Sequence, residues 1–301
     1  MNVSLRHPAH QKGMAVIGAL IVVAAASLAT AGIMERQSVL ADTLAGERDR
    51  AQARWLLRGG IDWARILLLL DARTNAVTTL QAIWAQPISN FEMRDPDSGR
   101  SALFSGLIED EQGKFNLQRV AVNGSIRARE LAALDTLLNT LGAPPGMAQA
   151  IAARIAASQS ASHGVPAAPA VRSISDLEGI EGLTTRTLAG LSPYLTLLPQ
   201  GTPLNVNTAS AEVLSATLPG VSLAEARQLT QERDRGQWFT SRGDFLNRLD
   251  KPRLDADPAL DVRSEWFRVS GETRLDRARA AMSALLRRAG DAPPTILWIE
   301  G

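Results

Sequence analysis

Three histidines and no cysteine narrow the chemistry open to this 301-residue chain. Without cysteine there are no disulfides, thiolate metal sites or thiol nucleophiles. Histidine is the usual base near neutral pH and the usual holder of a metal-bound water. His7 and His10 precede a long apolar run, in a stretch expected to be removed, which leaves His163. That residue lies in Ser160-Ala-Ser-His-Gly-Val-Pro-Ala-Ala-Pro169, a small-residue, proline-containing run that reads as a solvated surface loop. No compact catalytic motif accompanies it, so the chain reads as a non-enzyme. What remains are carboxylates, which are hard oxygen donors. Asp110 and Glu111 cluster in Ile108-Glu-Asp-Glu-Gln-Gly113, with Asp95 and Asp97 of Asp95-Pro-Asp-Ser-Gly99 behind them. Short acidic clusters of this kind are also common in plain solvated turns.

The element that must position everything else comes first in the chain. Met14 to Met34 reads MAVIGALIVVAAASLATAGIM, a run of 21 residues without a charge. At about 1.5 Å rise per residue it spans roughly the 30 Å of a bilayer's hydrocarbon core. Arg6 and Lys12 precede it, and mixed charges (Glu35, Arg36, Asp42, Glu47, Arg48) follow. The positive-inside bias therefore keeps the amino end cytoplasmic, with the bulk of the chain in the periplasm and one crossing of the inner membrane. Two processing fates compete. Secretory cleavage after Ala29-Thr30-Ala31 would release a soluble protein; alternatively a short charged leader ends at Gly13 and the apolar run is retained.

Beyond Glu35 the spacing of Leu40, Leu44, Ala51, Trp55, Ile61, Ala64 and Leu68 stays helical to about Ala72, with Gly59-Gly60 as the place where a helix would break. Turn chemistry at residues 93–99 puts the first strand at about 102–109, and Ile108 to Gln118 reads as a hairpin around Gly113. Residues 126–262 turn alanine- and leucine-rich with helical spacing. Trp266–Gly271 and Thr295–Ile299 read as strands. Residues 275–288 are ambiguous: Ala278, Ala280, Met282, Ala284 and Leu286 alternate, while alanine favours a helix. A strand is expected there, because it would complete a terminal hairpin. The fold class is α+β. The expected plan is a leader (1–13), a transmembrane helix (14–34), a helix extension with first strands (35–125), an inserted helical domain (126–262) and returning strands (263–301).

A short basic leader, Lys12-Gly13, and Met14 opening an apolar helix resemble the type IV pilin and type II secretion pseudopilin class. The resemblance implies a prepilin peptidase cutting between Gly13 and Met14, methylation of the new amino terminus on Met14, and a pilin-like helix packed on an antiparallel sheet. Those families usually carry a glutamate at the fifth mature residue, which here is Gly18. An ionisable group inside a membrane is retained mainly for a partner, so Gly18 suits a subunit with no neighbour to pair with on that side. Trp84-Ala-Gln-Pro87, Ile108-Glu-Asp-Glu-Gln-Gly-Lys-Phe-Asn-Leu117 and Leu204-Asn-Val-Asn-Thr-Ala-Ser-Ala-Glu-Val-Leu214, behind that anchor, resemble the minor pseudopilin K family of type II secretion. That resemblance implies a subunit at the pseudopilus tip that initiates and caps assembly with other minor pseudopilins. It also implies calcium in the globular part, for which Asp110 and Glu111 are the candidates.

One rival concerns nucleic acid. Ile174-Ser-Asp-Leu-Glu-Gly-Ile-Glu-Gly-Leu183 and Leu218-Pro-Gly-Val-Ser-Leu-Ala-Glu-Ala226 resemble helix-hairpin-helix (or SAM-like) modules, and Asn205-Val-Asn-Thr-Ala-Ser resembles the opening of competence-type DNA receptors. Between Ile174 and Asp250, however, six arginines and no lysine face nine acidic residues. Phosphate neutralisation supplies most nonspecific affinity, so this module is a poor DNA clamp and no nucleic-acid partner is expected.

Overall fold

No proline interrupts residues 11–74, and the chain forms one helix over that whole span, α1 (Gln11–Thr74). The computed structural model describes residues 11–94, 99–159, 161–162, 165–249, 260–276 and 278–301. At 1.5 Å per residue α1 is about 95 Å long. Residues 14–45 of it are exposed. From Ala53 onward one face, comprising Ala53, Leu57, Ile61, Ala64 and Leu68, is buried. Gly59-Gly60 does not break the helix. A Cβ on Gly60 would come within 2.7 Å of the Phe104 ring, so this glycine is what lets the helix lie flat on the sheet.

That sheet has five strands: β1 (Ile88–Arg94), β2 (Ser101–Asp110), β3 (Trp266–Leu275), β4 (Ala278–Arg287) and β5 (Thr295–Glu300). They lie in the order β1-β2-β3-β4-β5, and every neighbouring pair is antiparallel. Ile61, Ala64 and Leu68 of α1 pack with Trp84, Ile108, Phe267, Val269, Ala284 and Leu286. The Trp84 and Phe267 rings meet edge to face at 5.2 Å. Residues 278–287 are the expected strand, and the small alanine and serine side chains allow β4 to lie between two neighbours.

Two expectations are corrected. A strand lies ahead of the expected first one: β1 lies at the sheet edge, its pairing with β2 slips between Ile88 and Phe91, and Asn90 sits at φ +50°. That irregularity hides the alternation by which a strand is recognised. The hairpin over 108–118 does not form. After Asp110 a 3-10 turn, Glu111–Gly113, redirects the chain, and Phe115–Asn116 pair in parallel with Leu195–Thr196.

β2 and β3 are adjacent, with Asp110 opposite Phe267, so everything between them is an insertion that leaves and re-enters the sheet at one point. The insertion holds α2 (Ala128–Thr140), α3 (Met147–Gln159), α4 (Thr185–Leu191), α5 (Ala211–Thr217), α6 (Leu223–Asp234) and α7 (Arg242–Leu249). Its core begins at Phe115, Leu117 and Val120, ahead of residue 126, and includes Leu134, Leu137, Ile151, Ile155, Leu214 and Phe245. Gly113 fixes how closely this body approaches the sheet, because a Cβ there would meet the Thr208 Oγ1 at 2.8 Å and its carbonyl at 2.9 Å. Backbone cannot yield as a flexible side chain can. Gly113→Ala is therefore expected to destabilise the chain by about 1–3 kcal/mol, read as a lower urea midpoint; an unchanged midpoint would refute the close approach.

Candidate assembly site

The first part of the site is the free half of α1. Met14, Val16, Ile17, Leu20, Ile21, Val22 and Val23 are all exposed, and Met14–Thr74 is the one described helix long and apolar enough to cross a membrane. Gly13, Met14 and Gly18 follow one another on its first turns, and a Cβ on Gly18 would meet nothing within 4 Å. The leader before Gln11 lies outside the described residues, as does His163.

The second part lies farther along α1, opposite the face covered by the sheet. Trp55, Trp63, Ile66 and Leu70 are 73%, 48%, 53% and 51% exposed. At about 100° per residue these four fall within roughly 80° of the helix circumference, away from Leu57, Ile61, Ala64 and Leu68. Trp55 stands about 30 Å beyond Met34 along the axis. By length the stripe lies beyond the membrane-length run, and scattered apolar residues are ordinary on a surface whereas a row with two indoles is a candidate contact surface.

The third part is the joint that holds the insertion on the sheet. Asp110 ends β2, fully buried, and its carboxylate accepts from Ser264 Oγ at 2.5 Å, Thr208 Oγ1 at 2.6 Å, Asn205 Nδ2 at 3.1 Å and the Gln112 amide at 2.8 Å. Burial pushes this carboxyl above its ordinary value, against those four donors. Arg288, just past β4, donates to Asp71 of α1 at 2.9 Å, to Thr78 Oγ1 at 2.7 Å and to the Ser264 carbonyl at 2.9 Å, and its guanidinium lies 4.7 Å over the Phe267 ring. Asn205 also donates to the Thr78 carbonyl at 3.2 Å and to Ser264 Oγ at 2.7 Å. Helix, sheet and insertion thus share one satisfied polar network. Asn205 was visible within its sequence motif. Asp71, Thr78, Ser264 and Arg288 were not, since nothing in their neighbouring sequence sets them apart from exposed polar residues.

Glu111, next in the chain, is wholly buried. Its carboxylate accepts from Lys114 Nζ at 2.8 Å and Arg268 Nε at 3.0 Å, and also from Thr196 Oγ1. Burial raises its pKa, but the charges of Lys114 and Arg268, with hydrogen bonds from Lys114 and Thr196, outweigh burial and hold it below the ordinary value. The oxygens that calcium would take at Asp110 and Glu111 already have protein partners in this geometry. The ion needs about six to eight oxygen ligands, whereas these oxygens are taken by protein donors, and two cations already neutralise Glu111. Among the described residues no group of three or more carboxylates or histidines converges. Asp95 and Asp97 lie outside the described residues.

The hairpin at Gly220 does not offer its helix end to phosphate. Gly220 turns at φ +76°, but at the start of α6 Ser222 accepts from the Glu225 amide at 3.2 Å, and the Glu225 carboxylate accepts from the Ser222 amide at 2.8 Å. An acidic side chain thus occupies the helix end that an anion would seek. The competence-type DNA-binding alternative finds no support.

Known proteins resemble this arrangement. Two family models described as Type II secretion system (T2SS), protein K, match residues 113–200 and 204–263. A Type II secretion system protein K of Pseudomonas aeruginosa is 28% identical over 307 residues, covering 93% of this chain and 90% of the relative. One of Klebsiella pneumoniae is 27% identical, covering 93% of each. Among solved structures, a chain of the GspK-GspI-GspJ complex from enterotoxigenic Escherichia coli matches with a TM-score of 0.61 at 20% identity, over 84% of this chain and 97% of that one, which supports the pilin-like α+β fold.

Proposed function

We propose that this chain is a minor pseudopilin of the type II secretion system protein K kind, a structural subunit that assembles with other minor pseudopilins at the tip of the pseudopilus. The observation that carries this reading is the two-faced helix. One side of α1 is sealed by the sheet, while the other shows Trp55, Trp63, Ile66 and Leu70 to water on the same rod that carries the uncharged segment. A subunit anchored alike would run its own helix alongside and cover that stripe, and the E. coli relative is found in a complex with GspI and GspJ. The anchor holds the chain in the inner membrane, with the sheet and insertion in the periplasm. The insertion, seated at one end of the sheet, supplies bulk that stops a further subunit from adding above it, so that this subunit initiates and caps the filament.

Processing belongs to the same proposal. Prepilin peptidase cuts after Gly13, Met14 becomes the methylated amino terminus, and Gly18 in place of a carboxylate leaves this subunit without the pairing group that an upper neighbour would use. Intact mass and amino-terminal sequencing of the membrane-extracted chain test it. The expected product begins with N-methylated Met14, and a product beginning at Gly32 would refute the retained anchor.

A further inference from the structure

We infer that Gly59 is a socket, a gap in the exposed stripe of α1 that receives one large apolar side chain from the helix of a second anchored subunit and so selects that partner. The inference rests on the assembly reading above and specifies it. Glycine inside a helix lowers helix stability relative to alanine, through the entropy of its unfolded state. Where it is kept, something in the fold normally requires it. Gly60 shows such a requirement, because a Cβ there would come within 2.7 Å of the Phe104 ring. Gly59 shows none: it is exposed, in helical conformation, and a Cβ on it would meet nothing within 4 Å. The isolated chain thus bears the cost of this glycine and draws no packing from it.

Its position supplies the reason. Gly59 lies one turn from Trp55 on one side and one turn from Trp63 on the other, within the same sector of the helix as Ile66 and Leu70. The two indole-bearing residues are about 12 Å apart along the axis, and the stripe drops to bare backbone between them. Helices that pack at about 8–10 Å do so by fitting a side chain of one into a hollow of the other. A hollow with aromatic walls and a glycine floor takes a leucine, methionine or phenylalanine and lets the partner backbone approach closely. The occupant is a helix, because a membrane-anchored partner runs its own α-helix alongside α1 and the stripe follows that axis.

The test compares Gly59→Leu, Gly60→Ala and a Trp55→Ser/Trp63→Ser double variant. Each is expressed as the full chain with the other minor pseudopilins of its system, extracted in detergent, and scored for co-purified partner and thermal midpoint. Gly59→Leu is expected to reduce co-purified partner about tenfold or more while raising the midpoint by about 2 °C, since leucine is the better helix former. Gly60→Ala is expected to lower the midpoint. A structural role for Gly59 would lower it as well, so a fall with Gly59→Leu overturns the socket. If the tryptophan variant loses the partner and Gly59→Leu keeps it at wild-type level, the socket fails and the assembly stripe stands. If both keep it, the stripe itself fails. A homodimer of the chain alone that Gly59→Leu dissolves would make the occupant a second copy and overturn the partner named here.

Discussion

A chain with Trp55 and Trp63 both changed to serine is expected to fold normally and to lose its place in the assembly. Trp55 is largely in water, Trp63 is half-buried, and neither belongs to the buried core, so the fold should shift by about 0.5 kcal/mol at Trp55 and about 1 kcal/mol at Trp63. At an interface the same residues act differently. Tryptophans buried at the centre of a contact typically cost about 2 kcal/mol or more each when truncated, so the pair should weaken co-assembly by about 4 kcal/mol, roughly a thousandfold. The measurement is the amount of other minor pseudopilins co-purified from membranes, with secretion measured in parallel. Wild-type co-purification by the double variant would remove the basis for reading α1 as an assembly helix. A double substitution of exposed Arg50 and Arg54, on the same helix but outside the sector of the stripe, serves as the comparison and should leave assembly nearly unchanged.

The second large effect lies at the joint. Glu111→Gln is expected to destabilise the chain by about 3 kcal/mol, because it leaves the Lys114 ammonium without its buried counter-charge and deprives the Arg268 guanidinium of its carboxylate. The pH dependence gives the result its signature. The folded-state pKa of Glu111 is lowered, so its contribution is fully present above the ordinary value of 4.5 and is lost as pH falls through the lower folded value. The gap in urea midpoint between wild type and Glu111→Gln should therefore be full at neutral pH and shrink below about pH 4. Asp110 works in the opposite sense: burial raises its pKa, so its ionised form is the costly one and acid relieves it. Comparing wild type with Glu111→Gln cancels that contribution, since both chains keep Asp110. Equal midpoints at neutral pH would show that the buried pair adds nothing.

Legibility followed how local each determinant is. The long apolar helix was fully legible, since 21 uncharged residues satisfy their own backbone within one helix and need no partner to be recognised. The strand at 278–287 was legible by alternation against its alanine content, because β3 and β5 on either side override propensity. The strand at 88–94 escaped notice, since an edge strand with a slipped register has no clean alternation to display. The supposed hairpin at 108–118 failed for a related reason. Phe115 and Leu117 are apolar because the core of the insertion requires them, and no local signal distinguishes that demand from a strand's.

The candidate site divides in the same way. Composition by itself determined that cysteine is absent and histidine scarce, and the resemblance carried by Gly13, Met14 and Gly18 set where processing and anchoring are expected. Whether Asp110 and Glu111 face water, a metal or the protein was beyond any local pattern. The answer came from Asn205, Thr208, Ser264 and Arg268, brought from about 95 to 157 residues away. Likewise Asp71 and Arg288 meet across 217 residues, and the exposed stripe on α1 became visible once the sheet had claimed the opposite face. Hydrophobic run length is a property of neighbours along the chain and survives in sequence. Charge burial and the choice of helix face depend on partners that only the closed fold assembles, so they were decided there.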